Sequence, residues 1–122
     1  MNISLSQIHL MHVKFGITNR LVEFSDREKQ FRIDAMQEEL DEYKAASTKA
    51  DELDAIIDLV VFALGTAERQ GMLNVVKEAF ERVMAANMTK ELGPNNKRGS
   101  FAIDLVKPAN FIAPDLSDLV GE

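Results

Sequence analysis

Glu38, Glu39 and Glu42 lie in one run of five residues, and Asp51, Asp54 and Asp58 follow at helical spacing. Carboxylates at i, i+3 or i+4 share a helix face. Two helices that each project such a pair inward can meet across a bundle and build an oxygen-only cage for a metal. The chain has no Cys, and its only histidines are His9 and His12. Oxygen ligands without thiolate or local imidazole favour a hard cation, Mg²⁺ or Mn²⁺. Magnesium takes few carboxylates, keeps waters, and is commonly accompanied by substrate phosphates. The clustered acids exceed the needs of one ion, so two ions, or one ion and a general base, are both open. In such a site phosphate charge is neutralised and a water becomes acidic enough to attack phosphorus.

The charge balance singles out the same segment. The 122 residues carry 14 bases and 20 acids, a net of −6. Residues 34–58 hold nine of the acids against Lys44 and Lys49 alone, while the remainder is nearly neutral. A chain with no basic excess is not a general nucleic-acid coat. Without Cys there are no disulfides, thiolate metal sites or cysteine nucleophiles. No 18-residue apolar run suggests a membrane span, and Met1–Leu10 does not read as a secretory signal, so a cytoplasmic protein is expected. Neither a Gly-rich phosphate loop nor a G-x-S-x-G elbow occurs.

Helices must position the acids. The three prolines, Pro94, Pro108 and Pro114, all lie in the last quarter, so residues 1–92 suit a helical body. A first helix is expected from Ser4 or Ser6 to about Phe15, ended by Gly16, with Asn19 in the loop beyond. A second runs from Ser25–Asp26 to about Ala46, with Ser25 and Glu28 as a capping box. A third spans about Lys49–Gln70, stopped by Gly71, and a fourth runs from Asn74 to about Leu92. The result is a single all-α domain over 1–122: a four-helix bundle over about 4–92, and a short extended arm or hairpin over about 93–122. The third helix is apolar nearly all round from Ala55 to Ala67 and is expected to be buried. Asp51, Asp54 and Asp58 make one acidic stripe on it. On the second helix the expected core face is Met36, Leu40 and Tyr43. Glu39 and Glu42 lie beside that face, Glu38 turns towards solvent, and Asp41 is surface. The acids could instead be a solvated face, or pair with Arg20, Arg27, Arg32, Arg69 or Arg82. His9 and His12 share one helix side.

E-E-L-D-E at 38–42, followed by D-E-L-D-A-I-I-D at 51–58, resembles the E-E-x-x-E … E-x-x-D signature of the all-α nucleoside triphosphate pyrophosphohydrolases, which include MazG-like and phosphoribosyl-ATP pyrophosphohydrolase-like enzymes. H-V-K-F-G at 12–16, D-L-V-V-F-A-L-G-T-A at 58–67, A-A-N-M-T-K at 85–90 and K-P-A-N-F-I-A-P-D-L at 107–116 resemble further family segments in the same order. The resemblance implies a MazG-like bundle and a Mg²⁺-dependent hydrolase, with Mn²⁺ as a substitute. Such an enzyme splits an NTP, a dNTP or a phosphoribosyl-ATP-like nucleotide between its α and β phosphates. It implies Glu39 and Glu42 as ligands from the second helix, and Asp54 and Asp58 from the third. Glu38 would be a further ligand or would orient the water. Asn87 and Lys90 would lie near the phosphates; His12 and Lys107 are further candidates for base or phosphate contacts. It also implies a homodimer or homotetramer; the charge balance and hydropathy add the expectation of no nucleic-acid or membrane partner. Two departures stand out: Ala55 occupies the usual Glu position before Asp58, and Pro108-Ala109 replaces the usual Gly-Pro. Asp51 therefore stays a candidate, and either Asp51/Asp54 or Asp54/Asp58 could be the main ligand pair. The alternative is a non-catalytic helical homodimer that binds a nucleotide or a protein partner.

Overall fold

The computed structural model describes residues 3–17 and 23–122. Asn19 and Arg20 lie outside the described residues. Four helices, α1 (Leu5–Lys14), α2 (Asp26–Ala45), α3 (Lys49–Arg69) and α4 (Val76–Asn87), dominate the chain. Among the described residues, one two-stranded sheet pairs β1 (Glu91–Leu92) with β2 (Leu105–Val106). The class is all-α, as expected from the sequence. The chain divides into two compact units, Met1–Leu73 and Asn74–Glu122. Among the described residues no helix is long and apolar enough to cross a membrane.

In the first unit the helix ends follow local chemistry. Ser25 Oγ accepts from the Glu28 N–H at 3.1 Å, and Thr48 Oγ1 accepts from the Asp51 N–H at 3.1 Å. Both satisfy orphan donors of a first turn. Gly71 (φ +73°) stops α3 in the left-handed region, where a Cβ is strained, and its N–H reaches the Glu68 carbonyl. Residues 46–48 connect α2 to α3, so the two helices lie antiparallel as neighbours. Three pairs show one register: Glu28 with Arg69, Arg32 with Gly65, and Glu39 with Asp58. A step of seven along α2 from Arg32 to Glu39 matches a step of seven back along α3 from Gly65 to Asp58.

This register corrects two expectations. The inward face of α2 is Arg32, Ala35 and Glu39, all buried, whereas Leu40 and Tyr43 are exposed and Met36 is only half-buried. Nor is α3 buried all round: within it only Ala55 and Gly65 are buried, and Leu53, Ile56 and Ile57 are 60%, 45% and 50% exposed. The helix pair is joined along a polar seam, so the apolar stripes face elsewhere.

Gly65 makes the N-terminal half of this seam possible. A Cβ there would stand 3.1 Å from both Arg32 Nη1 and His12 Nε2. His12, on α1, is 2% exposed and Arg32 6% exposed, so neither has room to retreat. Gly65→Val is therefore expected to cost about 1–3 kcal/mol through overpacking, read as a lowered melting temperature.

In the second unit α4 ends at Asn87, five residues before the expected stop at Leu92. Thr89 Oγ1 donates to the Ala86 carbonyl at 2.7 Å, and the Lys90 N–H donates to the Asn87 carbonyl at 3.1 Å. The chain then turns into β1, which pairs antiparallel with β2: Glu91 opposite Val106, Leu92 opposite Leu105. The expected arm is this hairpin and the tail that follows. Arg82 on α4 holds the tail through two bonds to Asp118 (2.6 and 3.1 Å) and one to the Asp115 carbonyl (3.0 Å).

Candidate metal centre on the α2–α3 seam

Glu39 and Asp58 face each other across the seam, and Glu42 follows Glu39 by one turn. Each can place a carboxylate oxygen within 4.8 Å of the other two. Oxygens sharing one Mg²⁺ at bonds of about 2.1 Å lie up to about 4.2 Å apart, so small side-chain rotations suffice. Glu39 is buried, Asp58 half-buried and Glu42 exposed, so the cluster opens to solvent on the Glu42 side.

The electrostatics match an acid cage. Burial is the largest cause that pushes the Glu39 carboxyl up to about 7; hydrogen bonding to Glu42 and the charges of Glu42, Asp58 and Glu38 push it further. Glu39 Oε2 is buried with no hydrogen-bond partner, a state that a ligand would relieve. Among the described residues no ion pair reaches Glu39, Glu42, Asp51, Asp54 or Asp58. Three of the arginines that could have neutralised them are engaged or placed elsewhere. Arg69 bonds both oxygens of Glu28 at 2.6 and 2.7 Å, Arg82 holds Glu78 and Asp118, and Arg32 packs at Gly65. The donor set, oxygen-only and without a protein counter-charge, fits a divalent cation.

The remaining candidates divide by position. Glu38 is exposed, outside the trio, and acts on Glu39 through its charge. Asp51 and Asp54 line an open pocket of about 290 Å³ with Glu42, Ala45 and Ala46. Glu42 thus belongs to both the trio and this pocket. His12 lies in the Arg32–Gly65 layer, seven residues or about 10.5 Å along the helices from the Glu39–Asp58 layer. Burial first, then the Arg32 charge, lower its pKa, so it is neutral near pH 7. In the second unit, Asn87 closes α4, and Lys90 and Lys107 both sit over the Phe111 ring, 5.8 and 5.4 Å from its centroid.

Sequence reasoning treated Arg32 only as a possible counter-ion. Its signal was spacing: it stands seven residues before Glu39, on the same stripe. Lys97 and Arg98, which share a pocket with Lys90 and Lys107, gave no signal, because only the folded hairpin loop brings them there.

The raised Glu39 pKa sets a pH dependence. Its folded value of about 7 lies above the ordinary carboxyl value of 4.5, so the folded metal-free protein binds the extra proton. The stability contributed by Glu39 is fully present below pH 4.5 and lost as pH rises through 7. The melting-temperature difference between wild type and Glu39→Gln, in EDTA, is expected to shift against wild type across that window. Saturating Mg²⁺ should reverse the trend, because the ion displaces the proton.

Residues 16–87, more than half of the chain, match the family model for phosphoribosyl-ATP pyrophosphohydrolase. Neither the curated proteins nor the solved structures gave a match. The matched span contains the whole α2–α3 hairpin, and the family generally depends on divalent metal. An all-α chain with a carboxylate trio across one helical seam thus belongs to the phosphoribosyl-ATP pyrophosphohydrolase family, within the MazG-like all-α NTP pyrophosphohydrolase superfamily.

Proposed function

We propose that the chain, acting as a single domain over 1–122, hydrolyses a nucleotide between its α and β phosphates and releases pyrophosphate. The substrate is an NTP, a dNTP or a phosphoribosyl-ATP-like nucleotide. The observation that carries this reading is the set of uncompensated carboxylates facing across the seam in a chain of this family. Glu39, Glu42 and Asp58 would hold Mg²⁺, with Mn²⁺ as a substitute, and Asp54 and Asp51 extend the ligand set beside Glu42. The ion, when bound, supplies charge neutralisation at the phosphates and lowers the pKa of water.

The chain's own residues supply the rest. Glu38, exposed beside the trio, orients the attacking water. Glu39, the buried carboxylate of the trio, is the second catalytic group; with the ion bound it is held as a carboxylate, because the ion displaces its proton. Lys90 and Lys107 oppose the charge of the leaving phosphates, and Asn87 supports the turn that carries Lys90. His12 serves base contacts from the first unit.

A homodimer or homotetramer completes the protein in this reading. Leu53, Ile56 and Ile57, at i, i+3 and i+4, form an exposed apolar stripe on α3, and a second copy covers it. Light scattering at micromolar concentration tests this; a monomer sinks it. The setting is cytoplasmic, with neither nucleic acid nor membrane as partner.

The activity is tested by incubating purified protein with a nucleotide panel that includes phosphoribosyl-ATP, with Mg²⁺ or Mn²⁺, and resolving the products. Monophosphate and pyrophosphate in equal amounts are expected. No turnover, or release of orthophosphate alone, overturns the proposal.

A further inference from the structure

Helix α1 is attached to the first unit by a narrow face. Of its 10 residues only Ile8 and His12 are buried. They stand at i and i+4, one turn apart on one side. Leu10, Met11 and Val13 are exposed, so the other apolar side chains add little to the attachment. A helix this short is marginal in water on its own, and α1 depends on its two anchors. One anchor, Ile8, is apolar at every pH. The other, His12, is an imidazole, the side chain whose charge changes most readily near neutral pH.

His12 sits where a charge is poorly tolerated. Protonation turns both ring nitrogens into donors, yet Nδ1 is buried with no hydrogen-bond partner. The groups that face the ring are Arg32 and Glu28 on α2, Glu68 and Arg69 on α3, and His9 on α1 itself. Arg32 is buried as well, and its Nε has no partner. The two nearby carboxylates are committed to others. Glu28 receives two bonds from Arg69, and Glu68 accepts from His9 Nδ1 at 2.6 Å. Burial, then the Arg32 charge, lower the His12 pKa from its ordinary 6.5, against a smaller pull from Glu68. A positive charge on His9 would tighten its bond to Glu68 and so oppose release. With the His9 side chain 49% exposed, that pair contributes little, whereas a buried, unpaired charge is costly.

We propose that α1 is an acid-released latch: proton uptake by His12 unseats the helix from α3 and opens the Arg32–Gly65 layer, while the α2–α3 hairpin keeps its fold. The hairpin has ties of its own that involve no histidine, the Glu28–Arg69 pair and the caps at Ser25 and Thr48. The seated helix holds His12 neutral, and the unseated helix takes up a proton near pH 6.5. The latch is therefore closed above that pH and loosens as pH falls below it. Release needs neither nucleotide nor metal.

Hydrogen exchange of the full-length chain in EDTA, at about pH 7.5 and about pH 5.5 and corrected for intrinsic exchange rates, tests the latch. Protection of α1 should fall several-fold, up to about tenfold, the limit for one proton taken up near pH 6.5 across that range. Protection of α3 between Ala55 and Gly65 should not fall. The Glu39 contribution runs the opposite way over this window, so it cannot produce a loss in α1. His12→Gln cannot take up the proton and should show no such fall, whereas His9→Gln should keep it. If α1 in His12→Gln is unprotected at both pH values, His9→Gln decides alone. The chain has no third histidine, so a fall retained there assigns the proton to His12. The latch is overturned by unchanged α1 protection in wild type, by an equal fall in α3, by a fall that persists in a seated His12→Gln, or by a fall that disappears in His9→Gln. None of these readouts involves turnover, so the proposed hydrolysis stands or falls separately.

Discussion

Asp58→Asn is expected to lower nucleotide turnover by about 10²–10³-fold or more, the scale of losing a group that organises charge at a reacting phosphate. Asp58 sits opposite Glu39 in the seam and offers one of the three clustered oxygens. Its amide replacement keeps size and shape but removes the charge that a divalent cation needs. The same change should leave the metal-free fold as stable as before or firmer, because one of the charges raising the Glu39 pKa disappears. The paired readouts are steady-state turnover with Mg²⁺ and thermal melting in EDTA. Activity and stability moving in opposite directions identify a functional charge; a joint loss would make Asp58 merely structural.

Arg69→Met is expected to destabilise the first unit by about 2–3 kcal/mol. Arg69 grips both Glu28 oxygens, at 2.6 and 2.7 Å, with the guanidinium side chain 10% and the carboxylate 21% exposed. Removing one partner of a largely desolvated pair leaves the other charge uncompensated, which costs about 3–5 kcal/mol for a fully buried pair. The partial exposure of Glu28 reduces that figure. The Arg69 hydrogen bond, as the main cause, holds the Glu28 carboxyl below its usual range, so the pair's stabilisation is present above the unfolded pKa and fades as pH falls through the folded one. The double variant Glu28→Gln/Arg69→Met should recover part of the loss, since Glu28 is no longer stranded; Arg32 then loses the carboxylate charge that offsets its burial. Denaturant midpoints at pH 7 for both variants check this. Equal loss in the two would show that packing, not charge, is what Arg69 supplies.

Helix ends were legible where their signals are local: Ser25 at a start, and Gly16 and Gly71 at stops, each act within one turn. The two-carboxylate-helix reading was also legible, since i, i+3 and i+4 spacing survives folding unchanged. The orientation of α2 was not. Met36, Leu40 and Tyr43 have core-like periodicity, and so does the stripe Arg32, Ala35, Glu39. A hydrophobicity argument selects the first, yet the structure turns the second inward, so that Arg32 and Glu39 occupy the helix contact. The same seam explains the exposure of Leu53, Ile56 and Ile57. The register that sets Asp58 across from Glu39 depends on how the chain turns at residues 46–48, which spacing within either helix does not encode. The early end of α4 at Asn87 was hidden for another reason. Helical pattern continues to Leu92, but Leu92 pairs with Leu105, thirteen residues away.

Mn²⁺ titration followed by electron paramagnetic resonance tests the central claim most directly, because it reads the ion at the carboxylate trio without any substrate. Wild type at pH 8 should deplete free Mn²⁺, Mg²⁺ should compete it off, and Asp58→Asn should weaken the binding by about tenfold or more, the scale of losing one charged ligand. Indistinguishable titrations of wild type and Asp58→Asn, or no depletion by wild type, would contradict the account.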